Sequence, residues 1–428
     1  MSPTFASLSI YNYRVFAVGA LISNTGTWMG RVAQDWLVLT ELTPHSSVAL
    51  GVVTALQFAP LVLFAPLAGV ITDRFPKRRL LFATQSALAL TSLLTGVLVI
   101  TGAVQLWHIY LLAFAQGVAT ALDNPTRQTF VSEMVPHESL SNAVGLNSAS
   151  FNAARVIGPG VAGLVIAAVR TGPAFFINTL SFVAVLFALW RIRPEELTTS
   201  PLSRGKGQMR EGLRYVRGRP DIMLIMALVF VLGTFGMNFQ MTTALMATVV
   251  FHKGAGAYGL LGSIMAVGSL SAALLSARRP HPRLFILLVS LAAFVVASAA
   301  AALAPSYVWF AVLLIPVGLS ALTVLTTANS MVQLSVDPAM RGRVMALYIA
   351  VFMGGTPLVS PVIGWIGSAW GPRWTILVGS VMTGLAVVVA LLYLAHGEKI
   401  RVRYRGDERP RLSLTRGEIP EPVPELAS

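Results

Sequence analysis

The chain has 428 residues, of which 55% are hydrophobic and 11% are charged, whereas an ordinary soluble domain has about 25% charged residues. Together with a mean hydropathy of +0.72, this composition excludes a water-soluble globular protein. The net charge of +14 at pH 7 would suit nucleic-acid binding, but the basic residues fall almost entirely in alternate loops. That distribution is typical of a membrane protein whose basic loops face the cytoplasm, so we expect no nucleic-acid partner.

Segments of about 20 apolar residues recur along the chain, and each is long enough to cross a hydrocarbon core roughly 30 Å thick. The sequence therefore predicts an all-α membrane protein with twelve transmembrane helices and with both termini in the cytoplasm. The orientation follows from the basic residues, because only Arg170, Lys253 and Arg373 fall in the predicted outer loops. The predicted spans are 14–39, 47–71, 79–102, 106–122, 142–168, 173–192, 221–250, 256–277, 283–304, 307–330, 344–367 and 373–396.

Two further features fit a multi-pass protein of the plasma membrane. The N-terminal "MSPTFASLSIYNYR" lacks the pattern of a cleavable signal peptide, so the first span is expected to direct the chain to the bilayer. Tryptophan is enriched at membrane–water interfaces. The tryptophans at the predicted outer ends are Trp107, Trp309, Trp370 and Trp374.

An internal repeat divides the chain. Trp107 and Trp309 stand 202 residues apart, and so do two pairs of prolines, Pro136 with Pro338 and Pro159 with Pro361. A duplication of six spans explains this offset, and such repeats are characteristic of transporters whose halves rock around a central site. We expect a six-helix bundle over 1–192, a cytoplasmic linker over 193–220, a second six-helix bundle over 221–397 and a disordered cytoplasmic tail over 398–428.

The linker contains a candidate amphipathic helix. Met209, Leu213 and Val216 fall on one helical face, and arginines flank that face. This pattern predicts either a short helix lying on the cytoplasmic membrane surface or a solvated linker helix without lipid contact.

Charge is concentrated in the turn after the second span, "GVITDRFPKRRLL" over 69–81. This segment resembles the loop between the second and third spans of the major facilitator superfamily, whose pattern is G-x-x-x-D-R-x-G-R/K-R/K. The matching residues are Gly69, Asp73, Arg74, Lys77 and Arg78, while Pro76 replaces the usual glycine. A merely basic turn would explain the Arg and Lys residues but not an Asp at the end of the preceding helix.

The resemblance implies a role for these charges in conformational change. Asp73 would accept hydrogen bonds from the N-terminus of the eleventh helix, where the helix dipole favours an anion. Lys77 and Arg74 would reach Asp123 at the cytoplasmic end of the fourth span. We call the six residues Gly69, Asp73, Arg74, Lys77, Arg78 and Asp123 the cytoplasmic latch, since such contacts would form only when the cytoplasmic side is shut.

The fifth span carries a second motif. Gly145, Gly158, Pro159 and Gly163 fit the superfamily's exporter pattern G-x8-G-x3-G-P-x2-G-G, although alanine stands at two of its glycine positions, 154 and 162. The pattern is typical of drug antiporters, so it favours export. An ordinary small-residue packing face is the alternative interpretation.

The wider match is to the branch that resembles the enterobactin exporter and the transmembrane secretion effectors. "TGTWMGRVAQDWLVL", "ALDNPTRQTFVSEMVP" and "NAVGLNSASFNAARVIGPGVAGL" carry that resemblance.

One departure from the drug antiporters of the superfamily concerns proton coupling. Many drug antiporters have an Arg in the fourth span three residues before a Gln-Gly pair, and here that position is Ala113.

Other charges lie within the predicted spans. Arg31 and Asp35 are four residues apart in the first span, and Arg155 lies in the fifth. A charge at the centre of a lipid-facing helix costs about 2.5–3.5 kcal/mol, so we expect these side chains to face a central cavity. Asp35 is the candidate protonation site, with the two arginines as its neighbours. A structural ion pair near the outer surface is the alternative.

The remaining patterns exclude other classes of protein. The six histidines show no metal-ligand spacing, and the chain contains neither an ATP-binding phosphate loop nor a hydrolase motif, so we expect no metal, no cofactor and no enzymatic activity. The sequence favours a monomeric secondary transporter that exports an amphipathic small molecule, of drug or siderophore type, in exchange for protons. An importer with the same fold and a non-transporting accessory of a secretion or biosynthetic complex remain the alternatives.

Overall fold

The computed structural model describes residues 3–198, 208–277, 282–337, 340–397, 401–404 and 412–415. Long helices joined by short turns make up nearly all of this part of the chain. The helices are α1 (Tyr11–Trp36), α2 (Ser47–Leu63), α3 (Ala65–Arg74), α4 (Lys77–Ile100), α5 (Leu106–Met134), α6 (His137–Val169), α7 (Thr171–Arg191), α8 (Gln208–Arg217), α9 (Pro220–Val231), α10 (Phe239–Leu245), α11 (Ala255–Ala277), α12 (Leu284–Ala302), α13 (Tyr307–Ser335), α14 (Arg341–Gly354), α15 (Thr356–Trp370) and α16 (Pro372–Gly397).

The described residues contain nine helical stretches that are long and apolar enough to cross a membrane. Helices also lie at the other three predicted spans, namely α1, α2 with α3, and α5. The first and last of these carry several charged residues, and α2 is separated from α3 by a break at Phe64. The all-helical architecture of the membrane region is therefore confirmed, whereas the count of twelve spans and the orientation of the termini stay predictions.

The helices form two groups. In the first group α1 packs on α6 and α7, while α4 packs on α5 and α7. In the second group α13 packs on α11 and α12, and α12 also packs on α16. Each group has aromatic side chains in its interior, such as Phe16 against Phe130 and Phe239 against Phe294. The predicted boundaries of the two bundles agree with this grouping and stay predictions.

The two groups meet at one end of the molecule. The hydrogen bonds described between them involve Asp35, Ser47 and Val156 from the first group. The contacts between the two groups begin at the turns that follow α1 and precede α11, and they extend to about the middle of the helices. We call this the closed end, and we call the opposite end, which carries the turns at 75–76 and 135–136, the open end.

The closed end carries the tryptophans of one predicted membrane interface. Its exposed aromatic side chains include Trp107, Trp309, Trp370 and Trp374. These are the tryptophans that the sequence places at the outer membrane interface. If the basic loops lie inside, the closed end faces outward and the open end faces the cytoplasm.

The linker helix α8 attaches to the second group. Arg343 of α14 forms a 2.9 Å salt bridge with Glu211, and the Tyr215 hydroxyl donates a 3.2 Å hydrogen bond to Asp337. Val216 is buried, whereas Leu213 is partly exposed. The side chain of Met209 and residues 199–207 lie outside the described residues. The location of this helix on the membrane surface stays a prediction.

The tail contains two short strands, β1 (Arg401–Tyr404) and β2 (Leu412–Thr415), which pair antiparallel. The rest of the segment after Gly397 lies outside the described residues. The predicted disorder of the tail stays a prediction.

A reporter fused after Gly205 is expected to report a cytoplasmic position, and one inserted at Lys253 an external position. The physical reason is that basic residues crowd the linker and are almost absent from the loop before α11. Phosphatase and fluorescent-protein fusions in whole cells make this measurement. The reverse pattern would overturn the orientation and the outward position of the closed end.

Candidate functional site

The closed end is sealed by two helix pairs with close backbone contact. A Cβ atom added to Gly163 of α6 would lie 2.7 Å from the carbonyl oxygen of Ala255, and one added to Gly259 of α11 would overlap that of Pro159. In the second pair, a Cβ on Gly51 of α2 would lie 2.5 Å from the Ser360 carbonyl oxygen. Glycine is required at these positions because only a residue without a side chain lets the helices approach so closely.

The exporter motif of α6 belongs to several contacts. Pro159 and Gly163 face α11, whereas Gly158 packs against Trp28 of α1, since a Cβ there would lie 2.6 Å from Trp28 Cβ. Gly145 lies toward the open end, and an added Cβ would meet no described atom within 4 Å. The motif therefore supplies small residues to the packing of the closed end and of α1, which leaves its role in the direction of transport a prediction.

Asp35 lies in the contact between the two groups of helices and is 3% exposed. Its Oδ2 atom accepts a 2.8 Å hydrogen bond from Gln240 Nε2 of α10 and a 2.9 Å hydrogen bond from the Tyr258 hydroxyl of α11. Trp36, the next residue of α1, stacks on Tyr258 with ring centroids 6.5 Å apart. One carboxylate thus joins the first group to two helices of the second.

Arg31 and Arg155 come together around an aromatic ring. The Arg31 Cζ atom lies 5.2 Å from the centroid of the Trp28 ring, and the Arg155 Cζ atom lies 5.6 Å from the same centroid. Phe151 makes an edge contact with Trp28, with centroids 6.0 Å apart. Both guanidinium groups therefore make cation–π contacts, and the structure places Arg31 on Trp28 and not in the ion pair with Asp35 considered above.

The positions of these residues along α1 and α6 place them on the face turned toward the second group. Asp35 and Pro159 contact that group directly, and Arg31 and Arg155 each lie one turn nearer the open end on the same helix. The two arginines thus lie just beneath the sealed contact, where the two groups of helices begin to separate.

At the open end, the charges of the predicted latch have different partners from those expected. Lys77 Nζ forms a 2.5 Å salt bridge with Glu133 in place of Asp123. Asp123 is buried, and it accepts hydrogen bonds of 2.7 Å from Thr84 and 2.6 Å from Gln85. Because α4 and α5 run antiparallel, the start of α4 lies beside the end of α5, and Asp123 lies almost three turns farther along α5 into the membrane.

The remaining latch residues make few contacts with the second group. The Arg78 side chain donates to the carbonyl oxygens of Leu189 and Trp190 of α7, at 2.8 and 3.2 Å, and Arg74 is exposed. A Cβ on Gly69 would meet no described atom within 4 Å. The side chain of Asp73 lies outside the described residues. The predicted contact of Asp73 with the eleventh span therefore stays a prediction.

Replacing Glu133 with glutamine is expected to lower the free energy of unfolding by about 3–5 kcal/mol, because Lys77 would become an unpaired charge in a mostly buried position. The side chains of this pair are 13% and 7% exposed. The midpoint of thermal denaturation in detergent is the measurement. The matched control is Glu196→Gln, whose salt bridge with Arg193 is 53% and 42% exposed and should contribute less than about 1 kcal/mol. Equal shifts in the two variants would contradict the argument.

Several residues of the site were not predicted from the sequence. Gln240 and Tyr258 lie in apolar spans and carry no charge, so no local signal distinguishes them. Trp28 stands three residues before Arg31 on the same face of α1, so the contact between the two side chains could have been predicted from helical spacing. The Lys77–Glu133 pair was also predictable, from the antiparallel alignment of two consecutive helices.

Comparison with known proteins shows the family. The family model of the transmembrane secretion effectors matches residues 2–414, so the chain belongs to that family of the major facilitator superfamily. The predicted family is confirmed. The chain is accordingly a multi-pass protein of the plasma membrane, which also confirms the predicted location.

Individual relatives are transporters. The chain is 32% identical over 166 residues to the staphyloferrin A transporter of Staphylococcus aureus, a match that covers 38% of this chain and 41% of that protein. It is 25% identical over 390 residues to the multidrug efflux pump Tap of Mycolicibacterium fortuitum, covering 87% and 93% of the two chains. The chain thus spans less than half the length of the first of these relatives.

A solved structure shares the fold. A bacterial homologue of the human lysosomal transporter Spinster, in an inward-facing and unoccupied conformation, superposes with a TM-score of 0.69 at 14% identity. The match covers 92% of this chain and 97% of that one. At this level of identity the likeness concerns the fold alone.

Proposed function

We propose that the protein is a secondary active transporter that exports an amphipathic small molecule in exchange for protons by alternating access. The observation that supports this proposal is the buried carboxylate of Asp35 in the seal of the closed end, directly above the Arg31–Trp28–Arg155 cluster. Family membership and the efflux and siderophore transporters among its relatives support the same function.

The seal offers a means of coupling protons to conformational change. Hydrogen bonds to an ionised carboxylate contribute about 1.5–3 kcal/mol each, more than bonds to a neutral group. An ionised Asp35 would hold the closed end shut through Gln240 and Tyr258. Because protonation of Asp35 would change the strength of both bonds, the proton occupancy of this carboxylate would be coupled to the conformation of the closed end.

The available energy is sufficient for uphill export. One proton that moves inward supplies about 2.3 kcal/mol per 100 mV of membrane potential and about 1.4 kcal/mol per pH unit. Since each 1.4 kcal/mol corresponds to a factor of ten, 100 mV and one pH unit together sustain a substrate gradient of roughly several hundred-fold.

Proteoliposomes with an imposed pH gradient test the proposal. A macrolide, a tetracycline and a carboxylate siderophore, each radiolabelled, would be offered separately and retained vesicles collected by filtration. We expect at least one compound to accumulate in the acidic compartment above the level in protein-free vesicles, where weak bases such as macrolides are trapped passively, and to be released when nigericin dissipates the gradient. Accumulation on the alkaline side would indicate a proton symporter and hence an importer. Failure of all three compounds to accumulate would favour the non-transporting alternative.

A further inference from the structure

The membrane interior of this protein carries an excess of positive charge. In the second group, the charged residues that fall within predicted spans are Asp221, Arg283 and Arg373, and each is the first residue of its span, so the middle of these spans carries no charge. In the first group, the buried acids near the open end have basic partners, since Asp123 pairs with Arg127 and Glu133 with Lys77. Arg31, Asp35 and Arg155 remain, and they amount to two cations and one carboxylate.

Asp35 does not cancel either cation by direct contact. Its Oδ2 atom is occupied by Gln240 and Tyr258, and no described carboxylate forms a salt bridge with Arg31 or Arg155. Within the described part of the chain, the contact that the two guanidinium groups have in common is the Trp28 ring. The excess is one positive charge when Asp35 is ionised and two when it is protonated, so it persists in either state.

A cation buried without a carboxylate partner is costly in a membrane unless something compensates it. Cation–π contact with Trp28 offsets part of that cost, contributing about 0.5–2 kcal/mol. No hydrogen-bond acceptor for the N–H donors of the two guanidinium groups is found among the described residues. A guanidinium group presents its donors in a planar fork that matches a carboxylate with two hydrogen bonds. Two such forks around one indole ring form a clamp for an anionic group attached to a flat apolar body.

We propose that Arg31 and Arg155 bind the carboxylate of an organic anion, whose apolar part lies against Trp28 and Phe151. This inference rests on the proposed transport function and names the class of its substrate. Arg31 and Arg155 lie one turn nearer the open end than the contacts of Asp35 and Pro159 with the second group, so the anion would enter from the open end.

Binding of two xanthene dyes to the purified protein tests the charge preference without any gradient. The probes are fluorescein, which carries a carboxylate and is anionic at pH 7.5, and rhodamine 123, a cation of the same ring system. Fluorescence polarisation would give both dissociation constants. We expect fluorescein to bind at least about tenfold more tightly, as expected for one charge-assisted contact.

Variants locate the binding to the cluster. Arg155→Gln and Arg31→Gln should each weaken fluorescein binding at least about tenfold and leave rhodamine 123 binding unchanged or tighter. The matched control is Arg191→Gln, because Arg191 stacks on Phe187 at an exposed position of α7. Unchanged elution from a size-exclusion column would verify folding of each variant.

Three results would overturn the inference: no saturable binding of fluorescein to the parent, equal or tighter binding of rhodamine 123, or undiminished fluorescein binding in both arginine variants. These outcomes are independent of the transport assay. Selective fluorescein binding without proton-driven accumulation of any compound would preserve the anion clamp and reject the exporter. Proton-driven accumulation of a compound without selective binding of fluorescein would support the exporter and reject the anion clamp.

Discussion

Replacing Asp35 with asparagine is expected to abolish pH-driven accumulation of substrate while downhill equilibration of the same substrate continues. Asparagine cannot exchange a proton, so the imposed pH gradient no longer has a group on which to act. Its amide oxygen still accepts hydrogen bonds from Gln240 and Tyr258, although more weakly than a carboxylate does. The two halves can therefore continue to alternate.

Reconstituted vesicles with and without a pH gradient separate the two activities. Asp221→Asn serves as the matched control, since Asp221 pairs with Arg219 at a half-exposed position near the open end and should leave both activities unchanged. Arg31→Ala should give an intermediate result with an altered pH profile, because it removes the nearest positive charge on the same face of α1. If the Asp35→Asn protein concentrates substrate as the parent does, Asp35 has only a structural role.

Replacing Gly259 with valine is expected to reduce export at least about tenfold, because the larger side chain pushes α6 and α11 apart at the closed end. Even the first carbon of its side chain would overlap the Pro159 carbonyl oxygen and lie 2.9 Å from Gly163 Cα. Backbone atoms of two packed helices cannot yield by side-chain rotation, so the helices themselves must separate. The matched control is Gly256→Val one turn away, where a Cβ would meet only the Gly163 carbonyl oxygen at 3.9 Å.

The natural absence of cysteine gives a direct readout of this separation. A single cysteine at Asn152, one turn below Arg155 on α6, would be labelled by a membrane-impermeant maleimide added outside only when the closed end opens. We expect Gly259→Val to raise the labelling rate at least about fivefold over the parent and over Gly256→Val, for a population shift of about 1 kcal/mol. An unchanged rate together with normal export would show that the seal tolerates the larger side chain.

Local spacing within one helix or one turn accounts for most of what the sequence predicts. The apolar spans, the shared helical face of Arg31 and Asp35, and the basic turn before α4 all follow from it. The exchange of partners at Lys77 shows the limit of that approach. The motif identified the charges, but the register between α4 and α5 decides which acid each of them reaches.

The partners of Asp35 could not be predicted for a related reason. Gln240 and Tyr258 are more than 200 residues away, and their approach depends on how the two halves meet. Spacing within a single helix indicated Arg31 as the partner of Asp35, because residues four apart are neighbours. The structure instead favours Trp28 for Arg31, since a ring one turn away provides a contact that leaves the carboxylate free for the second half.

The helix that carries Gln240 is interrupted on both sides by π-helical turns, whereas the helix that carries Tyr258 is continuous. A π-helical segment, Leu232–Gly236, precedes α10, a break follows at Met237, and a second π-helical segment, Met246–Val250, comes after it. A π turn holds one residue more than an α turn, so passing that residue along the chain rotates the intervening side chains by about 100° and advances them about 1.5 Å. The seven residues of α10 thus lie between two π-helical segments at which the helical register can change, whereas Tyr258 lies in the uninterrupted helix α11. Of the two bonds to Asp35, the one from Gln240 can be broken by a local change of register, before either bundle moves as a whole.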